Sequence, residues 1–336
     1  MHSSKSVKAL GAAGCLAVFL AILWLLDLLL YPCTYVRNDI HTLTTENIDV
    51  LVLGTSNARM GIDPDTMLEG TGLKGHNMAN GGEYMVDAFY LLQLAESRHH
   101  LTSVILDVDP GYLVSEKETG NNYLLFYHEF PFSALKMRYF GAVMLPDDFR
   151  SMLFPSYEYA LKDMLPRMGG NAMRKLSGDY QTDAFQTANM TYHENGFIGR
   201  TPVEEEAFPG WNPVLFEKNK IVQTNIDYLG RIIDFCRDHN IDLTASCLPQ
   251  PDRALATHPE SDQAAWNYLK SYFDENNTRF INFNDDAYDC FPHDVSEFVD
   301  YDGHMNRDSA ETFSGVLGRM LFTQIKVGKP VSRGRK

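Results

Sequence analysis

The sequence predicts an α/β protein, a three-layer α/β/α domain around a mainly parallel sheet, preceded by one N-terminal transmembrane helix. Three observations lead there. An uncharged apolar stretch opens the chain. Short β-branched runs then alternate with segments of helical spacing, the pattern of βαβ units. The residues able to do chemistry fall just after strand ends, where sites form in parallel sheets.

Ala9 to Leu26 carry no charge, and the apolar run resumes after Asp27 as far as Leu30. As a helix, Ala9–Leu30 spans ~33 Å, enough for a bilayer core. Lys5 and Lys8 precede it, and Arg37 is the first basic residue after it. The positive-inside bias puts residues 1–8 in the cytoplasm, 9–31 in the lipid bilayer and the rest outside. A cleaved leader would have a shorter apolar region and a small-residue cleavage site, whereas this run ends Leu-Leu-Leu-Tyr-Pro-Cys. The expectation is a single-pass protein of the cell membrane.

Residues 32–47 read as a polar connector. Ile48–Leu53 reads as a buried parallel strand ending at Gly54, followed by a glycine-ended loop over Asn77–Gly82. Glu83–Ser97 has helical spacing, with Met85, Ala88, Phe89 and Leu92 on one face, and Ser103–Val108 is a second strand run. From about 115 to 214 the alternation stops. This stretch, rich in Tyr, Phe and Met, reads as a helical and irregular insertion, either plain packing or a lid. Alternation returns with a helix over 214–239, a strand over 241–248, a helix over 261–275, a short strand over 279–283 and a last helix over 307–325. One α/β domain over 48–325 follows. The basic tail 326–336 reads as disordered.

Net charge is −15, which argues against a nucleic-acid partner, because phosphate binding needs a positive face. The five cysteines show no CxxC spacing, and no HExxH or His-x-His cluster occurs, so neither a metal nor another cofactor is expected. Cys236 and Cys247 fall in helix and strand patterns and read as small buried apolar residues.

The string Val52-Leu53-Gly54-Thr55-Ser56-Asn57-Ala58-Arg59 sets a serine directly after a buried strand. There a hydroxyl is exposed at a helix start, and backbone N–H groups favour a developing oxyanion. Serine is a weak nucleophile and needs a base. The candidate is His304, in Asp300-Tyr301-Asp302-Gly303-His304 just before the last helix. A neighbouring carboxylate would fix its tautomer, with Asp302 preferred and Asp300 the alternative. His76 and His293 are rivals that lack this strand-to-helix context. Ser56 has a rival role as a helix cap. Arg59 could bind an anionic substrate, although an ion pair is the better reading.

Gly54-Thr55-Ser56 resembles the nucleophile block of SGNH/GDSL hydrolases, and Asp302-Gly303-His304-Met305-Asn306 resembles their terminal Asp/His block. With Arg59 and Gly61-Ile62-Asp63-Pro64, the string around Ser56 is similar to a membrane-anchored branch. That branch includes proteins of alginate O-acetylation and teichoic-acid D-alanylation. The Asn77–Gly82 loop resembles the block supplying an oxyanion N–H. The resemblance implies a flavodoxin-like sheet and a serine esterase or O-acyltransferase acting on a cell-surface polysaccharide or wall polymer. It implies Ser56 and Gly81 or Gly82 as oxyanion donors, with Asn80 as the substitute for the third donor, and a membrane-bound O-acyltransferase as partner. One departure stands out: where the family has a third-block Asn, this chain reads Asp107-Val108-Asp109-Pro110. That motivates the alternative of a non-catalytic envelope protein that binds glycan or scaffolds an export complex. A nucleotide-binding Rossmann domain is disfavoured because GxGxxG is missing.

Overall fold

The computed structural model describes residues 2–118, 123–143, 156 and 164–322. The chain is an α/β protein with a five-stranded parallel sheet and one N-terminal apolar helix. It divides into two compact units. The first comprises Met1–Arg37 and Thr119–Gln181, and the second Asn38–Glu118 and Thr182–Lys336.

In the first unit, helix α1 (His2–Leu30) contains the apolar segment Val7–Leu30, long enough and apolar enough to cross a membrane. Val18, Phe19, Leu20 and Trp24 stand exposed along it. An apolar helix left uncovered in this way is unlike the buried core helix of a soluble protein. Its C-terminal carbonyls are capped from outside the helix. Lys175 Nζ donates to the carbonyls of Asp27 at 2.7 Å and Tyr31 at 2.6 Å, satisfying acceptors that a helix end leaves open.

In the second unit, the strands are β1 (Val50–Leu53), β2 (Gly75–Asn77), β3 (Ser103–Asp107), β4 (Met190–Tyr192), β5 (Ile198–Arg200), β6 (Asp242–Cys247) and β7 (Arg279–Asn282). The main sheet runs β2-β1-β3-β6-β7, and β4 pairs with β5 as a separate antiparallel hairpin. Val50 to Leu53 are all fully buried, which explains a continuous apolar run instead of an alternating one. The chain leaves β1 for β2 on one side and returns to β3 on the other. The carboxyl ends of β1 and β3 therefore flank a switch point in strand order, where open parallel sheets form crevices.

Helix α2 (Tyr35–Thr45) occupies most of the stretch read as a polar connector. Its apolar side chains Val36, Ile40 and Leu43 recur at three- and four-residue intervals and are buried, a short amphipathic stripe hidden among polar neighbours. Helix α3 (Ser56–Gly61) follows β1, and α4 (Met85–Glu96) precedes β3. Helix α5 (Gln223–His239) begins nine residues later than the expected start at 214. The intervening segment is irregular, with one short 3-10 turn at Lys218–Lys220. Helices α6 (Pro259–Glu275) and α7 (Arg307–Phe322) agree with the remaining pattern. The 115–214 insertion does not form one block. Residues 182–214 belong to the second unit, tied there by Asn77 N–H donating to the Asn195 carbonyl at 2.8 Å. The tail 326–336 lies outside the described residues.

Candidate active site

The site begins at the end of β1. Gly54 turns the chain at φ +128°, a conformation open to glycine and strained for any other residue. A Cβ there would lie 2.6 Å from Asp107 Cβ and 2.7 Å from its carbonyl oxygen. Thr55 is the N-cap of α3, its hydroxyl accepting from Asn57 N–H at 3.3 Å. The capping role considered for Ser56 is thus filled by Thr55, and Ser56 is the first helical residue with its hydroxyl directed elsewhere.

That hydroxyl meets His304. Ser56 Oγ lies 2.7 Å from His304 Nε2, and His304 Nδ1 lies 2.7 Å from Asp300 Oδ2. Asp300 Oδ1 also accepts from the backbone N–H groups of Asp302 at 3.1 Å and His304 at 3.2 Å. The carboxylate, its loop and the ring therefore form one hydrogen-bonded turn. Burial works against the charge of Asp300, but the hydrogen bonds from His304 prevail and hold its carboxyl below the usual range. Asp300 Oδ2 as acceptor fixes the proton of His304 on Nδ1 and leaves Nε2 free to accept from serine.

The orienting carboxylate is Asp300 and not Asp302, the residue preferred from sequence. Gly303, at φ +91°, lets the loop fold back so that the residue four positions before His304 faces the ring. Asp302 is left exposed. Its carboxyl is raised by withdrawal from water and by the charge of Asp300, and it accepts a hydrogen bond from Trp211. Asp300, Asp302 and His304 come within 4.8 Å of one another. Both ring nitrogens of His304 are engaged by Ser56 and Asp300, so the imidazole offers this trio no spare lone pair for a metal.

Gly81 is the loop residue beside the hydroxyl. A Cβ on it would lie 3.8 Å from Ser56 Oγ. Gly82 N–H donates to the Tyr112 hydroxyl at 3.2 Å, and Asn80 Nδ2 donates to the Gly81 carbonyl at 2.9 Å. Gly82 N–H and one N–H of the Asn80 amide are thus engaged within the protein in this geometry. The N–H groups of Ser56 and Gly81 are the remaining candidates.

Arg59 does not face a substrate. It is 1% exposed and paired with Asp39 of α2, and its Nη1 donates to the carbonyls of Asn77 at 2.5 Å and Gly196 at 2.8 Å. Arg59 is thus the ion pair that was its better reading, a buried strut, and not the anion binder that was the other reading. The rival histidines are also occupied. His76 bonds to Asp39 at 3.2 Å and His293 to the Gln250 carbonyl at 2.7 Å.

Two buried carboxylates, unforeseen from sequence, grip the turn before the serine. Asp107 Oδ2 accepts from the hydroxyl and the N–H of Thr55, and Glu83 Oε1 accepts from Gly54 N–H at 3.2 Å. Burial raises both, Asp107 to about 7 and Glu83 well above the ordinary range. A signal for Asp107 existed in its place at a strand end, but nothing in its neighbours pointed to Thr55.

A cavity of about 320 Å³ opens over Ser56 and His304, walled by the loops after β3 and β6 and by residues 211–216. Asp109, in the strand-end string that lacks the expected Asn, lines it, with Oδ1 accepting from Gly111 N–H at 2.7 Å. Cys247 is buried, its thiol raised far up by burial and by the charges of Asp107 and Asp109, so it is an inert wall residue and not a rival nucleophile.

No protein-family model matches this chain, and no curated protein matches it.

Proposed function

We propose that the chain is a serine-dependent acyl esterase or O-acyltransferase of the SGNH/GDSL type, acting on a cell-surface polysaccharide or cell-envelope polymer. The observation that carries this reading is the continuous Asp300–His304–Ser56 hydrogen-bond chain, 2.7 Å at each link, at the floor of an open cavity. The parallel sheet with its switch point supports a flavodoxin-like, three-layer domain. The apolar helix over Val7–Leu30 supports a single-pass anchor. On this reading the N-terminus is cytoplasmic, the α/β domain lies outside, and a membrane-bound O-acyltransferase supplies acyl groups.

Ser56 Oγ attacks the acyl carbonyl carbon while its proton passes to His304 Nε2. Asp300 stabilises the imidazolium through Nδ1–H, and the N–H groups of Ser56 and Gly81 face the oxyanion. The tetrahedral intermediate then collapses, the C–O bond to the leaving alcohol breaks, and His304 returns the proton to that alcohol. Water or a sugar hydroxyl, deprotonated by His304, attacks the acyl-Ser56 ester in the same way and regenerates the enzyme.

A second reading, a non-catalytic glycan-binding or scaffolding protein, draws on the absence of the third-block Asn from Asp107-Val108-Asp109-Pro110, where Asp109 lines the cavity with a carboxylate. A fluorophosphonate probe separates the two. Labelling that is lost in Ser56→Ala supports the enzyme, and a folded chain that takes up no probe supports the scaffold.

A further inference from the structure

The cavity over Ser56 has a marked chemical bias. Asp109, Asp262 and Asp302 line it, together with the aromatic rings of Trp211, Trp266 and Tyr301, and among the described residues that line it there is no lysine or arginine. Arg253 reaches the Tyr301 hydroxyl at 3.5 Å, but its guanidinium is paired with Glu205, which also accepts from that hydroxyl at 2.5 Å. The ring centroids of Trp211 and Tyr301 are 6.0 Å apart. Aromatic faces beside carboxylates attract an ammonium through the ring quadrupole and through ordinary Coulomb attraction.

No lysine or arginine among the described lining residues balances these carboxylates. Withdrawal from water raises Asp262 to about 6, against the opposing influence of His258. Asp109 is raised by withdrawal from water, with the hydrogen bond from Gly111 N–H opposing, and further by the charge of Asp302, with His304 opposing. A bound cation would relieve all three, whereas a carboxylate or phosphate group would add to the repulsion. The overall charge of −15 acts in the same direction at long range.

We infer that this cavity selects an ester carrying a protonated amine or quaternary ammonium group, held by Trp211, Trp266, Asp262 and Asp109 beside the reacting carbonyl. The inference rests on the acyl-transfer reading above. It distinguishes a cationic or amino-substituted substrate from the uronate and phosphate polymers that a positively lined site would take. The ammonium can sit on the alcohol side of the ester or on its acyl side.

The test uses the full chain in neutral detergent. The alcohol-side arm compares acetylthiocholine with its uncharged isostere, 3,3-dimethylbutyl thioacetate. The acyl-side arm compares the p-nitrophenyl esters of betaine and of 3,3-dimethylbutanoic acid, each normalised to its alkaline hydrolysis. We expect kcat/KM to favour the cation by about tenfold in one arm, which then identifies the side. The preference should shrink as salt rises. Asp262→Asn should reduce the preference for the cation about threefold. Equal kcat/KM for charged and uncharged esters in both arms overturns the inference and leaves the acyl-transfer reading standing. No turnover of any ester, with Ser56 unlabelled by fluorophosphonate, overturns both.

Discussion

Asp107 Oδ2 accepts two hydrogen bonds from one residue, the hydroxyl of Thr55 at 2.7 Å and its N–H at 3.2 Å, immediately before the serine that meets His304. Thr55 in turn caps α3 through Asn57. One carboxylate at the end of β3 therefore fixes the turn that aims Ser56. The carboxyl is held up at about 7 by burial. Its value in the unfolded chain is lower, so between about pH 4 and pH 7 the unfolded chain sheds a proton that the folded one keeps. Stability from this group is greatest in acid and falls as pH rises through that window, by on the order of 4 kcal/mol. Asp107→Asn removes the ionisation. The difference in urea-unfolding free energy between the two proteins should thus grow in favour of the variant from pH 4 to pH 7. A pH-independent difference would refute the assignment.

The Asp300–His304 link predicts an asymmetric pair of variants. Asp300→Asn removes the charge that stabilises the imidazolium and disturbs the tautomer, and should lower kcat by about 10³- to 10⁴-fold. Asp302→Asn, at an exposed residue not bonded to the ring, should leave turnover of an uncharged aryl acetate within a few-fold. Steady-state kinetics on both variants decides. A larger loss in the Asp302 variant would return the orienting role to that residue.

The sheet and both members of the Ser56–His304 hydrogen-bonded pair were legible from sequence for physical reasons. A strand buried on both faces must read as an apolar run, as Val50–Leu53 does, and long amphipathic helices such as α6 and α7 repeat their pattern often enough to be seen. β2 escaped notice because Gly75-His76-Asn77 is three residues long and has no β-branched member. Helix α2 was hidden because its buried stripe is only three side chains deep. The choice between Asp300 and Asp302 depends on how far a loop folds back at Gly303, and sequence spacing does not encode that. The grip of Asp107 on Thr55 spans 52 positions and joins two strand ends that become neighbours only when β1 pairs with β3.

Gly54 predicts a sharp cost for a small change. Gly54→Ala places a methyl group against the Cβ and carbonyl of Asp107, both backbone-fixed, at a φ that L-residues rarely adopt. Strain of about 1–3 kcal/mol from the backbone alone is expected, with the clash added. Because the displaced atoms belong to Asp107, the variant should lose fluorophosphonate labelling of Ser56 well before it loses helical circular dichroism. Full labelling at normal rates would show that the close packing of Gly54 on Asp107 is not needed to aim the serine.

The buried pair of Arg59 and Asp39 makes the last prediction. Asp39 is fully buried and bonded to Arg59, to His76 at 3.2 Å and to the Tyr192 hydroxyl at 2.7 Å. Burial opposes its charge, yet the guanidinium and His76 hold its carboxyl below the ordinary range. Its contribution is therefore present above the usual carboxylate range and is lost as pH falls through the lowered value. Arg59 sits on α3, three residues after Ser56, and reaches the Asn77 and Gly196 carbonyls, so it ties the serine's helix to α2, to β2 and to the β4–β5 hairpin at once. Arg59→Met leaves Asp39 buried without its main counter-charge and should cost about 3–5 kcal/mol. Adding Asp39→Leu removes the stranded charge, so the double variant should be more stable than Arg59→Met alone, although the two carbonyls remain without the guanidinium. Chemical denaturation of the two variants measures this. If the second substitution lowers stability further, the cost lies in lost packing and carbonyl hydrogen bonds and not in an uncompensated buried charge.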